Sequence, residues 1–389
     1  MIPLARPDIT EREKQAVQAV LDSNYLSLGP KLKEFEEKMA AYAGTKYAVA
    51  CNSGTSGLHM IIAALGIKDG DEVITTPFSF ISSSNCILFE RAKPVFVDID
   101  EKTYNIDTAQ IEAKITKRTK AILPVHVFGQ PANMHDIRRI ALKHGLFIIE
   151  DACEAIGAEW SGRKAGTMSD AGVYAFYPNK QMTTGEGGIV VTNNENLAKL
   201  CYSLRNQGRG VDTQWLYHVR LGYNYRMSDL SAALGIAQLE RIEEMIAARQ
   251  RVADLYMEKL KDVEGVILPT IDERVKMSWF VFVIRFEPWI DRDLAMEILL
   301  ERGVGCRPYF TAIHLQPFYR ELFGYKEGDF PVTEHVASGT LAIPFFNKIT
   351  EEQIEIVVAE IKRAIRYSSI AEPRMRLKKL IGEVNWESQ

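Results

Sequence analysis

Four groups that could do chemistry follow predicted strands of this sequence. The turn from Cys51 to His59 is rich in Gly, Ser and Thr and opens a predicted helix, so its N–H groups and hydroxyls could hold a phosphate. Phe80 follows the next strand, and its ring could stack on a planar ligand. Asp151 follows an apolar strand, where a buried carboxylate needs a partner. Lys180 lies in a loop rich in Gly and Thr, where desolvation would make its amine a nucleophile.

Each feature has an ordinary structural explanation when it is taken alone. The turn is also a good helix cap, a Phe beside a strand usually packs in the core, an acid there often forms a salt bridge, and a loop lysine is usually on the surface. Together, however, the four groups meet the binding needs of pyridoxal phosphate. The turn would hold the phosphate, Phe80 would cover one ring face, Lys180 would form a Schiff base, and Asp151 would keep the pyridine nitrogen protonated.

The apolar runs of the first half predict the sheet that would bring these groups together. They alternate with helical segments, which is the pattern of βαβ units and of a mostly parallel sheet with helices on both faces. The runs are Tyr47 to Ala50, Glu72 to Thr76, Pro94 to Asp98, Ala121 to Val127 and Leu146 to Asp151. Two more, Gly172 to Tyr177 and Gly188 to Thr192, continue the sheet without a full crossover helix. Because ligands bind at the carboxyl ends of such strands, we expect one site there.

The rest of the chain predicts further helices and a smaller C-terminal α/β domain. Apolar residues at helical spacing indicate an early helix over Lys31 to Tyr42 that stops at Gly44, and a long helix over Ser228 to Arg249 that bridges the two parts. The later elements are a strand-like run, Val275 to Arg285, and helices over Asp291 to Arg302 and Glu351 to Ala364. We therefore expect a large domain over residues 1–245 and a smaller one over residues 246–389.

Composition and charge exclude several classes of protein. With 389 residues, 47 Lys+Arg, 51 Asp+Glu and a net charge of -4, the chain has no basic excess for a nucleic-acid backbone. Residues 361–380 are rich in Lys and Arg, and a solvated basic face is the expected explanation. No apolar run approaches the roughly 18 residues of a membrane span. The scattered cysteines and histidines predict neither disulfides nor a metal site, and we expect a cytoplasmic protein.

Several motifs, in their order and spacing, resemble those of the DegT/StrS-type sugar aminotransferases. The match covers nearly the whole chain: SGTSGLH, VFVDID, EDACEA, NKQMTTGEGG, RNQGRG, GYNYRMSDLSAALGIAQLE and RPYFTAIHLQP. The resemblance implies an α/β protein of fold type I, with a three-layer αβα large domain around a mostly parallel seven-stranded sheet and a smaller C-terminal α/β domain. It also implies a pyridoxal-phosphate enzyme that moves an amino group from L-glutamate to a 3-keto or 4-keto sugar carried on a nucleotide diphosphate.

The resemblance assigns cofactor-binding roles to particular residues. Lys180 matches the Schiff-base lysine that also shuttles protons, Asp151 the partner of the pyridinium nitrogen, and Phe80 the ring-stacking aromatic. The phosphate-binding turn is matched by Gly54, Thr55 and Ser56.

Three more residues match positions that serve the substrate or a second subunit. Asn224, in GYNYRMSDL, matches a residue that reaches the phosphate from the neighbouring subunit, which implies a homodimer with shared active sites. Tyr309 and His314 match a segment that lines the sugar-nucleotide side.

Two positions depart from the common pattern of the family. Many relatives have a Ser five residues before the lysine, where it contacts the phosphate, and this chain has Ala175. Where relatives often place Gln or His against the 3'-oxygen of the cofactor, this chain has Glu154. A carboxylate there would repel a phenolate oxygen unless it is protonated or displaced.

Two other functions stay open from the sequence alone. Some relatives with the same fold dehydrate or deoxygenate sugars and carry His at the lysine position, which Lys180 argues against. A regulatory protein that binds the cofactor without turnover is the second alternative, and the intact pair of Lys180 and Asp151 argues against it.

Overall fold

The structure, a computed structural model, describes residues 1–210 and 216–369. Residues 370–380 of the basic segment therefore lie outside the described residues. The α-helices are α1 (Glu11–Leu21), α2 (Pro30–Ala43), α3 (Gly54–Ala64), α4 (Ser82–Phe89), α5 (Thr108–Ile111), α6 (Met134–His144), α7 (Glu195–Arg205), α8 (Asp229–Leu239), α9 (Ile242–Leu260), α10 (Arg292–Glu301), α11 (Pro317–Phe323), α12 (Pro331–Gly339) and α13 (Glu351–Ser368). Short 3₁₀ helices cover Glu112–Lys114, Val127–Gly129 and Ile313–Leu315.

The strands form one large sheet and two small ones. They are β1 (Tyr47–Cys51), β2 (Glu72–Thr75), β3 (Lys93–Phe96), β4 (Thr119–Ile122), β5 (Phe147–Asp151), β6 (Glu159–Trp160), β7 (Arg163–Lys164), β8 (Ala171–Ala175), β9 (Gly188–Thr192), β10 (Val266–Ile267), β11 (Val275–Lys276), β12 (Phe282–Phe286) and β13 (Thr340–Ile343). The large sheet has seven strands in the order β1-β9-β8-β5-β4-β2-β3. The small sheets have the orders β10-β12-β13 and β11-β6-β7.

The large sheet confirms the predicted α/β architecture. Strands β8, β5, β4, β2 and β3 pair in parallel, and β9 is antiparallel to both of its neighbours, β1 and β8. The connection between β8 and β9 is a loop and not a crossover helix, as predicted. The mostly parallel seven-stranded sheet that the resemblance implies is thus present.

Helices cover both faces of this sheet because alternate strand residues point to opposite sides. In β1, Val49 and Cys51 belong to the apolar cluster that includes the buried residues of α3, whereas Ala48 and Ala50 belong to the cluster that includes those of α2. Helix α2 follows the predicted range closely and ends at Gly44, which takes the left-handed conformation expected of a helix stop. The result is a three-layer arrangement of helices, sheet and helices.

The predicted long helix over Ser228 to Arg249 is wrong, because two helices occupy this region. Helix α8 ends at Leu239 and α9 begins at Ile242, with non-helical backbone at Arg241. The guanidinium of Arg241 is buried against α1, where it donates 2.8 Å from its Nη1 to Oε1 of Glu13. Helical periodicity continues through the break, so the sequence pattern did not reveal it.

The predicted strand over Val275 to Arg285 is also wrong as a single element. It divides into β11 and β12, which belong to different sheets. The residues between them pair instead with a loop: the N–H groups of Ser278 and Phe280 donate to the carbonyl oxygens of Gly129 and Phe128, at 3.2 and 3.3 Å. The predicted helices near Asp291 and Glu351 are present as α10 and α13. Within the described ranges, none of the helices combines the length and apolar character that a membrane crossing needs.

Candidate active site

A cavity of about 490 Å³ lies at the carboxyl ends of the central strands. Its walls come from the segments after β1, β2, β5 and β8 and from a loop of the C-terminal part that contains Tyr309 and Phe310. Gly188, the first residue of β9, pairs with both Cys51 of β1 and Ala175 of β8. The loop between β8 and β9, which carries Lys180, therefore ends at the same edge of the sheet. A Cβ at Gly188 would lie 2.4 Å from the carbonyl oxygen of Ser53, so this close approach requires glycine.

Lys180 lies in the loop between β8 and β9, and its amine borders the cavity. Its Nζ is 3.5 Å from Oε1 of Glu154 and 3.7 Å from the centre of the Phe280 ring, and its side chain is only 12% exposed. Phe280 was missed by the sequence reasoning because it stands in an apolar run that resembles an ordinary buried strand.

The N-terminus of α3, which the sequence predicts to be a phosphate cradle, lies at the cavity. Ser53 caps the helix by accepting from Ser56 N at 3.1 Å, and Gly57 N donates to Ser53 O at 3.1 Å. Helix geometry leaves the N–H groups of Gly54 and Thr55 without an intrahelical acceptor. Gly54 and Thr55 line the cavity, as predicted for phosphate-binding residues, and their N–H groups are suited to an anion.

The hydroxyls at the cradle differ in part from the prediction. Ser56 is buried, and its Oγ donates to Oδ1 of Asn52 at 2.7 Å, so within the described residues it does not border the cavity. Ser82 does border it, and its Oγ lies 2.8 Å from Oγ1 of Thr55. Ser82 thus supplies a hydroxyl at the cavity, next to that of Thr55, whereas Ala175 has none. Sequence reasoning passed over it because Ser82 starts helix α4, far along the chain.

Asp151 ends β5 with its carboxylate in the cavity wall and only 5% exposed. Its Oδ2 accepts from Ser83 Oγ at 2.8 Å and its Oδ1 from Cys153 N at 3.1 Å. These donors hold the carboxylate in one orientation. Phe80 also borders the cavity, but its ring is 61% exposed, so it forms part of the rim.

Glu154 lies between Lys180 and the backbone of residue 128. Its Oε2 accepts from Phe128 N at 2.9 Å, and its side chain is almost fully buried. Burial raises the pKa of the Glu154 carboxyl, although Lys180 and the Phe128 N–H oppose the shift. A raised pKa favours the protonated form, which reduces the repulsion that the sequence predicted for this position.

The predicted substrate residues separate in the structure. Tyr309 borders the cavity, and burial, with a smaller effect of Glu154, raises the pKa of its phenol to about 12. His314 is fully buried elsewhere: its Nε2 is 3.0 Å from Oε1 of Glu334, and its ring packs edge-on against Phe330 at 4.7 Å. Tyr309 therefore borders the described cavity and His314 does not, and the role of both residues toward the substrate stays a prediction.

Asn224 also lies away from the cavity of its own chain. The residue is exposed, and its carbonyl oxygen accepts from Nδ2 of Asn52 at 3.4 Å. Tyr223 and Tyr225 on either side stack with their ring centres 5.0 Å apart. This segment is therefore held at the surface, where Asn224 is exposed.

Glu150 is a second acid that the sequence reasoning did not single out. It precedes Asp151 on β5 and points to the opposite face of the sheet, where it is fully buried. Its carboxylate accepts from Nε2 of His126 at 2.9 Å and from three other donors. Burial opposes ionisation, but these hydrogen bonds lower the pKa of Glu150 overall. Glu150 supports the strand end that carries Asp151.

The donor set of the cavity fits pyridoxal phosphate. The N-terminus of α3 with Thr55 and Ser82 would hold the phosphate, Asp151 would pair with the pyridine nitrogen, and Lys180 offers an amine for the aldehyde. The start of α3 packs so closely at Gly54 that a Cβ there would lie 2.8 Å from Ala175 Cβ and from Cys153 Sγ. When bound, the cofactor supplies an electron sink for a carbanion formed next to an amine.

Comparison with known proteins identifies the family. The DegT/DnrJ/EryC1/StrS aminotransferase family matches residues 7–362. An uncharacterised protein of Methanocaldococcus jannaschii is 43% identical over 94% of this chain and 97% of its own length. A GDP-perosamine synthase of Caulobacter vibrioides is 37% identical over 94% of this chain and 98% of its own length.

A solved structure agrees with this result. A protein described as a sugar aminotransferase, Spr1654 of Streptococcus pneumoniae in its PMP form, superimposes with a TM-score of 0.90 and 26% identity, over 95% of this chain and all of the other. Its PMP form identifies the cofactor as a pyridoxal-phosphate derivative. The chain belongs to the DegT/DnrJ/EryC1/StrS aminotransferase family and is a pyridoxal-phosphate-dependent sugar aminotransferase.

Proposed function

We propose that the enzyme transfers an amino group from L-glutamate to a 3-keto or 4-keto sugar carried on a nucleotide diphosphate. The observation that carries the proposal is the convergence of Lys180, Asp151 and the α3 cradle on one cavity that also has room beyond the cradle. The GDP-linked product in the name of the Caulobacter relative supports a nucleotide-linked substrate. Tyr309 and Phe310 are the residues we expect to meet the sugar.

Lys180 performs the proton transfers in this proposal. Among the described residues that border the cavity it is the one with an amine, so its Nζ takes the proton from the α-carbon of the donor and later returns a proton to the amino-acceptor carbon. Glu154, at 3.5 Å, keeps the amine within the cavity between these steps. Asp151 would pair with a protonated ring nitrogen of the bound cofactor, and the ring of Phe280, with its centre 3.7 Å from Nζ, covers one side of the amine.

We further propose that two chains form a homodimer and complete each site together. The exposed Asn224, outside the cavity of its own chain, supports a role in the site of a partner. The five free cysteines fit a reducing compartment, and we propose the cytoplasm. Size-exclusion chromatography with light scattering tests the dimer, and a strictly monomeric active enzyme would contradict it.

The donor and the acceptor can be tested separately. The enzyme loaded with pyridoxal phosphate is mixed with L-glutamate, L-glutamine or L-aspartate, and the keto acid released is measured. We expect 2-oxoglutarate from glutamate in an amount equal to the loaded sites. A panel of nucleotide-linked 3-keto and 4-keto sugars then identifies the acceptor by mass spectrometry of the aminated product. Release of another keto acid alone would refute glutamate as the donor.

Substitution of the lysine tests the mechanism. Lys180→Ala should abolish transamination and the visible absorbance of the loaded enzyme, because no other amine borders the cavity in the described residues. Lys164→Ala is a matched control, since Lys164 also lies over an aromatic ring, that of Tyr42, with its Nζ 3.6 Å from the ring centre, but outside this cavity. Full activity of Lys180→Ala would refute the assignment.

A further inference from the structure

Helix α9 carries an arginine that is buried at the base of the lysine loop. Arg249 is only 3% exposed, and its hydrogen-bond acceptors are main-chain carbonyl oxygens of two separate segments. Its Nη2 donates to Lys180 O at 2.9 Å, and its Nη1 donates to Phe280 O at 3.0 Å. Longer contacts reach the preceding residues, Asn179 O at 3.5 Å and Trp279 O at 3.4 Å.

These two segments are the ones that meet at the reactive amine. Nζ of Lys180 lies over the ring of Phe280, 3.7 Å from its centre. One guanidinium therefore holds the main chain of the lysine and the main chain of the aromatic residue that its amine contacts. The neighbouring Gln181 strengthens the same junction, because its Nε2 donates to Ser278 O at 2.9 Å and to Glu154 O at 2.6 Å.

A buried cation at this position is costly, which argues against a simple packing role. Burial lowers the pKa of Arg249 to about 10, so the side chain stays charged at neutral pH. Desolvation of such an ion costs several kcal/mol unless hydrogen bonds replace its water. An apolar residue would fill the same space without this cost. The planar fork of Arg249 donates to both carbonyl segments at once, one through each terminal nitrogen.

We propose that Arg249 is a positioning residue that sets the place of Lys180 Nζ over Phe280 and beside Glu154. The inference rests on the proposed role of Lys180. The rigid junction holds the amine where it can meet a cofactor bound in the α3 cradle. Loss of the fork releases the carbonyls of residues 180 and 280, and the amine then spends less time at the reacting position.

The test starts from the full chain without cofactor and follows the formation of the bond between Lys180 and pyridoxal phosphate. Pyridoxal phosphate is added, samples are reduced with borohydride at timed intervals, and peptide mass spectrometry measures the cofactor fixed on Lys180. Affinity for 4'-deoxypyridoxine phosphate, which has no aldehyde, reports the cradle separately. We compare Arg249→Gln and Arg249→Lys with Arg251→Gln, a control on the same helix whose Nη2 donates to Asn347 O at 3.3 Å, away from the cavity.

The inference predicts that Arg249→Gln slows fixation on Lys180 by on the order of 10- to 100-fold, the effect of a misplacement of about 1 Å. Affinity for the aldehyde-free analogue should stay within about threefold of the wild-type value. Arg249→Lys offers one nitrogen in place of the two terminal nitrogens that bond separate segments, so it should also be slow, and Arg251→Gln should match the wild type.

The outcomes distinguish a positioning role of Arg249 from a general structural role and from no role. Wild-type rates in the Arg249 variants would overturn the positioning role while leaving Lys180 as the reactive lysine. Equal losses of fixation and of analogue affinity would also overturn it, since they would indicate a general structural role. If Arg249→Gln does not fold, Arg249→Lys decides alone, and Phe280→Leu should reproduce its slow fixation. No fixation on Lys180 in the wild type would refute the proposed function and this inference together.

Discussion

Replacement of Glu150 by Gln should destabilise the protein strongly although the two side chains have the same shape. Oε1 of Glu150 accepts from Met168 N at 2.6 Å and Ser169 Oγ at 2.7 Å. Oε2 accepts from Gly166 N at 2.7 Å and from His126 Nε2 at 2.9 Å. An amide has one oxygen, so one pair of donors must face an NH₂ group.

Neither orientation of the amide satisfies the site. If the NH₂ replaces Oε2, it faces two donors, and His126 cannot change tautomer because its Nδ1 accepts from Ala132 N at 3.1 Å. If it replaces Oε1, Ser169 can turn its hydroxyl to Ala171 O at 3.0 Å, but Met168 N–H loses its acceptor. The second orientation is the better one, and it still leaves a buried donor unpaired.

The expected loss of stability is estimated from the second orientation of the amide. An unpaired buried donor costs about 1–3 kcal/mol, and each of the two remaining bonds, to His126 and Gly166, weakens by about 1 kcal/mol when its acceptor becomes neutral. The free energy of unfolding should therefore fall by about 3–5 kcal/mol, a large part of the usual total of about 5–15 kcal/mol. Main-chain bonds between Asp151 and the segment before His126 would transmit the disturbance, so cofactor affinity should fall as well.

Urea denaturation at pH 7, followed by fluorescence and checked for reversibility, measures this difference. Glu159→Gln is the control, because Glu159 forms a more accessible ion pair with Lys276 at 2.9 Å and should cost less than about 1 kcal/mol. A loss below about 1 kcal/mol in Glu150→Gln would refute the reasoning. The folded-state pKa of Glu150 is lowered, so its stabilisation is present above its unfolded pKa, about 4.3, and is lost as the pH falls through the folded value.

Two further predictions concern the cradle and the link to the C-terminal part. Gly54→Ala would place a Cβ 2.8 Å from Ala175 Cβ and Cys153 Sγ, so the start of α3 must shift. Equilibrium dialysis should then show at least about tenfold weaker binding of pyridoxal phosphate. Unchanged affinity would contradict the role of this turn. Asp98→Ala removes the carboxylate that accepts from Thr333 N at 2.9 Å and from Thr333 Oγ1 at 2.7 Å. Urea denaturation should show that the free energy of unfolding falls by about 2–4 kcal/mol. A fall of less than about 0.5 kcal/mol would exclude a stabilising cap.

The sheet was predictable because its strands are buried on both faces. Continuous apolar runs with turn residues between them predict such strands without knowledge of their neighbours. The later elements were less predictable because periodicity reports burial and not connectivity. The run from Val275 to Arg285 is apolar throughout, yet its middle residues pair with a loop and not with a strand.

The candidate site was predictable where one residue follows one strand. Asp151 ends β5 and Lys180 lies in the loop after β8, so the fold brings them to one edge, and both border the cavity. Ser82 and Ser56 show the limit of this reasoning. Both are serines near a helix start, and only the packing of α3 against α4 places the first at the cavity and turns the second away.

The sequence by itself determined the class of chemistry, the α/β architecture and the lysine, because these depend on residue type and on the local order of strands and turns. Only the tertiary structure revealed Phe280 beneath the amine, Arg249 behind it, and His314 buried against Glu334. The contacts of Lys180 with Phe280 and with Arg249 join segments about 70 to 100 residues apart in the chain, and His314 meets Glu334 across 20 residues. Hydrogen bonds and ring contacts over such separations are set by how helices and loops pack, and local sequence patterns carry no signal for them.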